Sequence, residues 1–119
     1  MRIVGLITVV ETPEFLAASR GLFDEDDRTL LISYLAAHPM AGDLIAGTGG
    51  VRKLRWAVAG RGKRGGARVI YFVHSERLPL FLLTAYAKNV RADLSDKERS
   101  GLKALVKEFP GTYERKRRR

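Results

Sequence analysis

No cysteine occurs in the 119 residues, which removes disulfide bonds, a thiol nucleophile and cysteine-held metal, and fits a reducing compartment. Histidine is almost as scarce. His38 and His74 are the two present, they fall in different predicted elements without partners at ligand spacing, and no metal site is expected. His38 instead suits a helix C-terminus, where its protonated form favours the dipole, and His74 a strand end at the surface. No apolar run is long enough for a membrane span. Met1 to Val10 is apolar but short, with neither an extended basic flank nor a small-residue cleavage site before Glu11, so a cytoplasmic protein without membrane contact is expected. The most informative scarcity is of one charge sign: no Asp or Glu lies between Asp43 and Glu76.

Into that acid-free stretch crowd Arg52, Lys53, Arg55, Arg61, Lys63, Arg64 and Arg68, within a chain whose formal net charge is +9. A single-signed field of this density repels itself in the folded state and implies a polyanionic partner, of which nucleic acid phosphate is the commonest. An anionic membrane surface or an acidic protein remains open on charge alone.

At this length, with 45% hydrophobic residues, the chain buries one core and does not divide comfortably into two. The β-branched run Ile3 to Val10 predicts a well-buried first strand. Thr12-Pro13 opens a helix with Phe15, Leu16 and Leu22 on its apolar face, because threonine caps well and proline suits the first turn. A second helix starts near Asp24, whose acidic run through Asp27 complements the dipole; Leu30, Leu31, Tyr34 and Leu35 line one face, and His38-Pro39 ends it. Gly42 to Gly50 reads as a loop. From Val51 the parity alternates, with Leu54, Trp56 and Val58 on one face and Lys53, Arg55 and Ala57 on the other, which predicts a half-buried strand with one cationic side. Gly60 to Gly66 connects it to a central strand, Ala67 to His74, and a turn at Ser75-Glu76-Arg77 leads to another, Leu78 to Lys88. Short connections predict an antiparallel meander. Ser95 and Glu98 form a capping box for a last helix carrying Leu102, Leu105, Val106 and Phe109, which Pro110-Gly111 is expected to stop. The expectation is a single α+β domain over 1–110: a twisted antiparallel sheet of about four strands, two N-terminal helices and a C-terminal helix, with the helices against one face. A basic, disordered tail is expected over 111–119.

The Arg61-Gly62-Lys63-Arg64-Gly65-Gly66 run is not a nucleotide-binding loop, since its lysine is not followed by Ser or Thr and a strand, not a helix, comes next. Arg68 stands apart because it projects from a hydrophobic strand, where a charge persists only if paired or facing an open concavity. Tyr86 and Lys88 share a parity on the following strand, as do Lys53 and Arg55 on the preceding one. If these faces coincide with that of Arg68, a cationic cup with an aromatic wall results. Such a cup suits single-stranded RNA, and also its cleavage through attack of a ribose 2′-hydroxyl on the adjacent phosphate, in which Lys, Arg and Tyr share proton transfer and charge stabilisation without a metal or other cofactor. Core packing is the competing role for Tyr86 and the better one for Tyr71, whose parity opposes Arg68.

The segments Gly47-Thr48-Gly49-Gly50-Val51-Arg52-Lys53-Leu54-Arg55-Trp56, Gly60-Arg61-Gly62-Lys63-Arg64-Gly65-Gly66-Ala67-Arg68-Val69-Ile70-Tyr71, Tyr86-Ala87-Lys88-Asn89 and Asp93-Leu94-Ser95 together resemble the RelE/HigB superfamily of toxins from bacterial type II toxin–antitoxin modules, on its HigB-like branch. The resemblance spans nearly the whole chain. It implies a microbial-ribonuclease-type fold and a ribosome-dependent endoribonuclease that cuts mRNA and arrests translation. It also implies an operon-encoded antitoxin partner, such as a helix-turn-helix protein, that would supply the contact to operator DNA. On this resemblance Arg68 would stabilise the transition-state phosphate, Arg61, Lys63 and Arg64 would hold mRNA phosphate or supply the base, and Lys88 matches a second basic position. Arg52, Lys53 and Arg55 would bind RNA. The RelE branch places a tyrosine near Leu94, so that role is absent here or moved to Tyr86. Two other classes stay open: a non-catalytic RNA- or DNA-binding or ribosome-associated protein, and an inactive toxin kept as an antitoxin-binding scaffold.

Overall fold

The computed structural model describes residues 6–58, 66–75 and 78–117, with side chains as far as residue 109. In chain order the elements are β1 (Val9–Glu11), α1 (Pro13–Ser19), α2 (Glu25–Ala37), β2 (Asp43–Leu44), β3 (Val51–Trp56), β4 (Ala67–Phe72), β5 (Leu80–Ala87) and α3 (Asp96–Arg117). The expected caps are in place. The Thr12 side chain accepts from the Phe15 N–H, Pro13 opens α1, and Asp24 and Asp27 form a reciprocal capping box at the start of α2, which ends at His38.

The sheet is α+β in class as expected but has five strands, in the order β1-β5-β4-β3-β2. The β3-β4-β5 meander is antiparallel, whereas β1 runs parallel to β5, so the sheet is mixed where a purely antiparallel one was expected. The cause is the connection: β1 and β5 are separated by most of the chain, and no hairpin constrains their direction. β1 is also shorter and less buried than the expected Ile3 to Val10 strand, with all three residues half-buried and residues 1–5 outside the described ones. β2 is a two-residue strand inside the expected glycine loop, pairing Asp43 with Lys53 and Leu44 with Arg52.

Two apolar layers sandwich the sheet, which corrects the expectation of helices on one face only. Val69 and Tyr71 of β4 pack with Phe15, Leu31 and Leu35 of α1 and α2, while Ile70 and Phe72 pack with Leu102 and Val106 of α3. Because strand side chains alternate, β4 is buried along its whole length. On α2, Leu31 and Leu35 face this core, but Leu30 and Tyr34 remain exposed. α3 runs through Pro110-Gly111 to Arg117, so neither residue stops it and most of the expected tail is helical. The residues beyond Gly111 are rich in Glu, Lys and Arg, good helix formers that help the helix tolerate the break.

Tyr71, fully buried as expected, also organises the approach to β2. Its hydroxyl accepts from the Gly42 N–H at 2.8 Å and donates to the Pro39 carbonyl at 2.8 Å. The fit around Gly42 is close, since a Cβ there would lie 2.9 Å from the Tyr71 ring and 3.0 Å from the Lys53 carbonyl. Replacing Tyr71 by Phe removes both bonds and leaves a buried N–H without a partner, so Tyr71→Phe is expected to lower unfolding stability by about 1–3 kcal/mol in urea titration. A midpoint equal to wild type would show that the 39–42 turn is held by other contacts.

Candidate functional site

The site is built on the α3 side of the sheet, at the end where β3 leaves and β4 enters. Arg55 on β3, Arg68 on β4 and Tyr86 on β5 lie in one row, as directly opposed residues across three strands. A bulge in β5 makes that row possible. Tyr71 pairs with Leu82 and Ile70 with Thr84, which leaves Leu83 as an extra residue on β5. Before it, Leu80 and Leu82 face the α1/α2 layer; beyond it, Ala85 does so, and Tyr86 turns to the α3 side.

A cavity of about 360 Å³ opens there, lined by Lys53, Arg55, Arg68, Lys88 and Arg99, with Asp43 and the 44–46 segment completing its wall. The cationic faces foreseen from parity on β3, β4 and β5 therefore meet in one cup. Arg68 is 8% exposed, and its Nη1 donates to the Ala67 carbonyl at 3.3 Å. The strand end that carries Lys88 is fixed by Gly66, whose carbonyl accepts from the Lys88 N–H at 3.1 Å. Gly66 has φ +51°, and a Cβ would fall 2.5 Å from the Trp56 carbonyl, so only glycine lets β3, β4 and β5 close up here. The Lys88 ammonium donates to the Ala92 carbonyl at 3.1 Å.

Two side chains named from sequence are placed elsewhere. Arg52 has the opposite parity to Lys53 and Arg55, and its Nη1 donates to the carbonyls of Met40 and Gly42 at 3.2 and 2.7 Å, so it supports the turn on the far side of the sheet. Tyr86 is opposite Arg68 in register, yet its ring belongs to the α3-side core with Leu83, Leu94 and Leu102 rather than to the cavity lining. The Arg91 guanidinium lies 4.6 Å from its ring centroid, its hydroxyl is buried without a partner, and burial pushes its pKa up, with the Asp93 charge adding to the rise. Leu94 is also buried in that core. Arg61, Lys63 and Arg64 lie outside the described residues. Among the described residues, no group of three or more His, Asp or Glu side chains could hold a metal ion, and no helix is long and apolar enough to cross a membrane.

Sequence reasoning missed three contributors: Asp43, Asp93 and Arg99. Asp93 is the hub of the rim, accepting from Lys53 Nζ at 3.2 Å, from Arg99 Nη2 at 3.0 Å and from the Leu94 N–H at 2.8 Å. Next to it, Glu98 accepts from Arg91 at 2.7 and 2.8 Å and from the Ser95 N–H at 2.9 Å, closing the expected capping box. No periodicity links Asp93 and Arg99 to β3; the charge pairing across the α3 side could have suggested it only after the sheet order was known.

The model for the RelE toxin of the RelE/RelB toxin–antitoxin system matches residues 30–117. Among solved structures, a mutant of the E. coli toxin RelE in the free state superposes with a TM-score of 0.55, at 16% sequence identity, covering 85% of this chain and 97% of that one. At that identity the superposition speaks for the fold, and the five-stranded sheet with its three helices matches it.

The rim carboxylates set an acid limit on stability. Asp93 is held below its ordinary value of 3.8, first by the Leu94 N–H and then by Lys53 and Arg99; Glu98 is held below 4.5, chiefly by Arg91. Both folded-state values are depressed, so their stabilising contribution is complete above the ordinary values and is lost as pH falls through the lower folded ones. Urea midpoints are expected to decline below about pH 4.5, and Asp93→Asn to flatten that decline. An unchanged acid limb in the variant would remove Asp93 from this account.

Proposed function

The chain belongs to the RelE toxin family, and from that premise we propose that it is a toxin that cuts mRNA on the ribosome and is held in check by a cognate antitoxin. The single observation that carries this reading is the convergence of Lys53, Arg55, Arg68 and Lys88 on one cavity. Four cations, three on β3 and β4 and one just past the end of β5, fit a phosphodiester better than an apolar or neutral ligand, and a phosphorane, which carries more charge than the phosphate it forms from, better still.

In the proposed reaction the 2′-oxygen attacks the adjacent phosphorus while its proton passes to a base. The bond from phosphorus to the 5′-oxygen then breaks as that oxygen is protonated, leaving a 2′,3′-cyclic phosphate and a 5′-hydroxyl. Arg68 is assigned the equatorial phosphate oxygens, since a guanidinium fork fixed on a central strand needs no reorganisation as charge develops. Asp43, a carboxylate on the wall and opposite Lys53 in register, suits the base, and the Lys88 ammonium suits the acid. Arg61, Lys63 and Arg64 remain assigned to mRNA phosphate on the strength of the sequence. The family implies an antitoxin; a helix-turn-helix partner encoded in the same operon, which would bring operator DNA, belongs to this proposal, as does placement on the HigB-like branch.

One observation favours a second reading. Leu94, buried in the α3-side core, stands where the RelE branch has a tyrosine, which suits a toxin that has lost turnover but still binds its antitoxin. Primer extension on translated mRNA after induction separates the two. Wild type is expected to produce cleavage ends, Arg68→Ala to reduce them by about 100-fold or more, and Arg68→Lys to fall between. Antitoxin binding by the variants serves as the control for folding. Full cleavage by Arg68→Ala would sink the assignment of Arg68, and a wild-type chain that cuts nothing would favour the silent toxin.

A further inference from the structure

We propose that Arg99, on the first turn of α3, is a further RNA-phosphate ligand of this cavity, positioned by Asp93. The proposal deepens the RNA-cleaving reading above and rests on it. Arg68 would take the scissile phosphate from the sheet floor, and Arg99 a flanking phosphate from the helix wall.

Three observations converge on Arg99. It lines the same cavity as Lys53, Arg55, Arg68 and Lys88 but comes from α3 rather than from the sheet. One edge of its guanidinium is fixed, because Nη2 donates to Asp93 Oδ2 at 3.0 Å, yet its Nε is buried and has no hydrogen-bond partner. A buried N–H donor without an acceptor is rare in native proteins, since it has given up water for nothing, and a ligand oxygen is one group that would satisfy it. A surface ion pair with Asp93 would account for Nη2 and leave Nε in water. The third observation is position. A cation in the first turn of a helix faces the positive end of the dipole and is disfavoured there. Asp93 offsets that penalty and is shared with Lys53 at 3.2 Å, so one carboxylate holds a β3 cation and an α3 cation at the same rim.

The test uses the full chain and a fluorescein-labelled 2′-O-methyl RNA hexamer, which lacks the attacking hydroxyl and therefore reports binding without cleavage. The dissociation constant is measured as salt rises from low to physiological concentration. Loss of one phosphate contact to a single strand lowers the log–log salt slope by about 0.7, so Arg99→Gln is expected to show that drop. Arg28→Gln, which removes an arginine paired with Glu11 at the distant β1 edge, is expected to keep the wild-type slope. Arg99→Lys retains the charge but not Nε, and is expected to keep the slope while binding more weakly.

An Arg99→Gln slope equal to wild type would overturn the proposal. So would an equal drop in Arg28→Gln, which would mean that net charge alone is being read, or absence of wild-type binding at low salt. Wild-type affinity in Arg99→Lys would overturn the role of Nε. Cleavage of translated mRNA by wild type beside an unchanged Arg99→Gln slope sinks Arg99 alone, whereas no wild-type cleavage beside the expected slopes sinks the nuclease reading alone.

Discussion

One extra residue on β5 decides which way the site points. Strand side chains alternate strictly, so without the bulge at Leu83 the register that faces Leu80 and Leu82 toward α1 and α2 would carry Tyr86 and Lys88 to the same side. The cationic faces of β3 and β4 would then lack their third wall. The bulge inverts the phase, and neighbouring groups hold it there. Thr12 donates to the Leu82 carbonyl from both its N–H and its hydroxyl, at 3.2 and 2.8 Å, while that hydroxyl also caps α1. Sheet phase, helix start and cavity wall thus depend on one short stretch of chain. This is the sense in which bulges re-aim side chains near functional sites.

The cup also has to survive its own charge. Arg55 and Arg68 are directly opposite in the ladder, an arrangement that destabilises a sheet when nothing neutralises it. At the rim, Asp93 engages Lys53 and Arg99, and Asp43 lies on the wall. Arg91 and Glu98 pair with each other outside the lining and secure the start of α3. The rim is thereby ordered around the cations of the strands, a preorganised arrangement that would suit an incoming phosphate on the proposed function. Closing α3 over β3 through Asp93 does structural and electrostatic work with the same carboxylate.

Local chemistry in the sequence was a reliable guide to local structure. Thr12, Asp24 and Ser95 cap as their side-chain oxygens require, His38-Pro39 ends α2, and parity put Lys53 and Arg55 on one face, which the β3–β4 register shares with Arg68. Parity also condemned Arg52, which sits beside Lys53 and must point the other way; grouping by charge hid what spacing already stated. The rest depended on contacts between distant segments. The parallel β1–β5 pair, the two-residue β2 and the arrival of Arg99 beside β3 follow from how the sheet is ordered, and no window of sequence contains that order. Pro110-Gly111 failed as a stop because a helix already anchored by Leu102 and Val106 tolerates one poor turn that an isolated helix would not.

Binding and turnover are carried by different parts of this architecture. The cations that would hold a phosphate come from β3, β4, the end of β5 and α3, and the sheet fixes the placement of those it carries, so on the proposed function RNA affinity would follow from the fold. Proton transfer asks for something narrower: a base and an acid at opposite ends of one reacting bond. Tyr86 is removed from the cavity by its burial, and Leu94 offers no titratable group, so aromatic proton transfer is not built into the described site. Among the described residues the proposal rests on Asp43 and Lys88, one at a short edge strand and one just past the end of β5, and both depend on backbone that Gly42 and Gly66 bring into close contact with neighbouring strands. On the proposed function, a small change at either edge would impair proton transfer while leaving Lys53, Arg55 and Arg68 in place on the sheet.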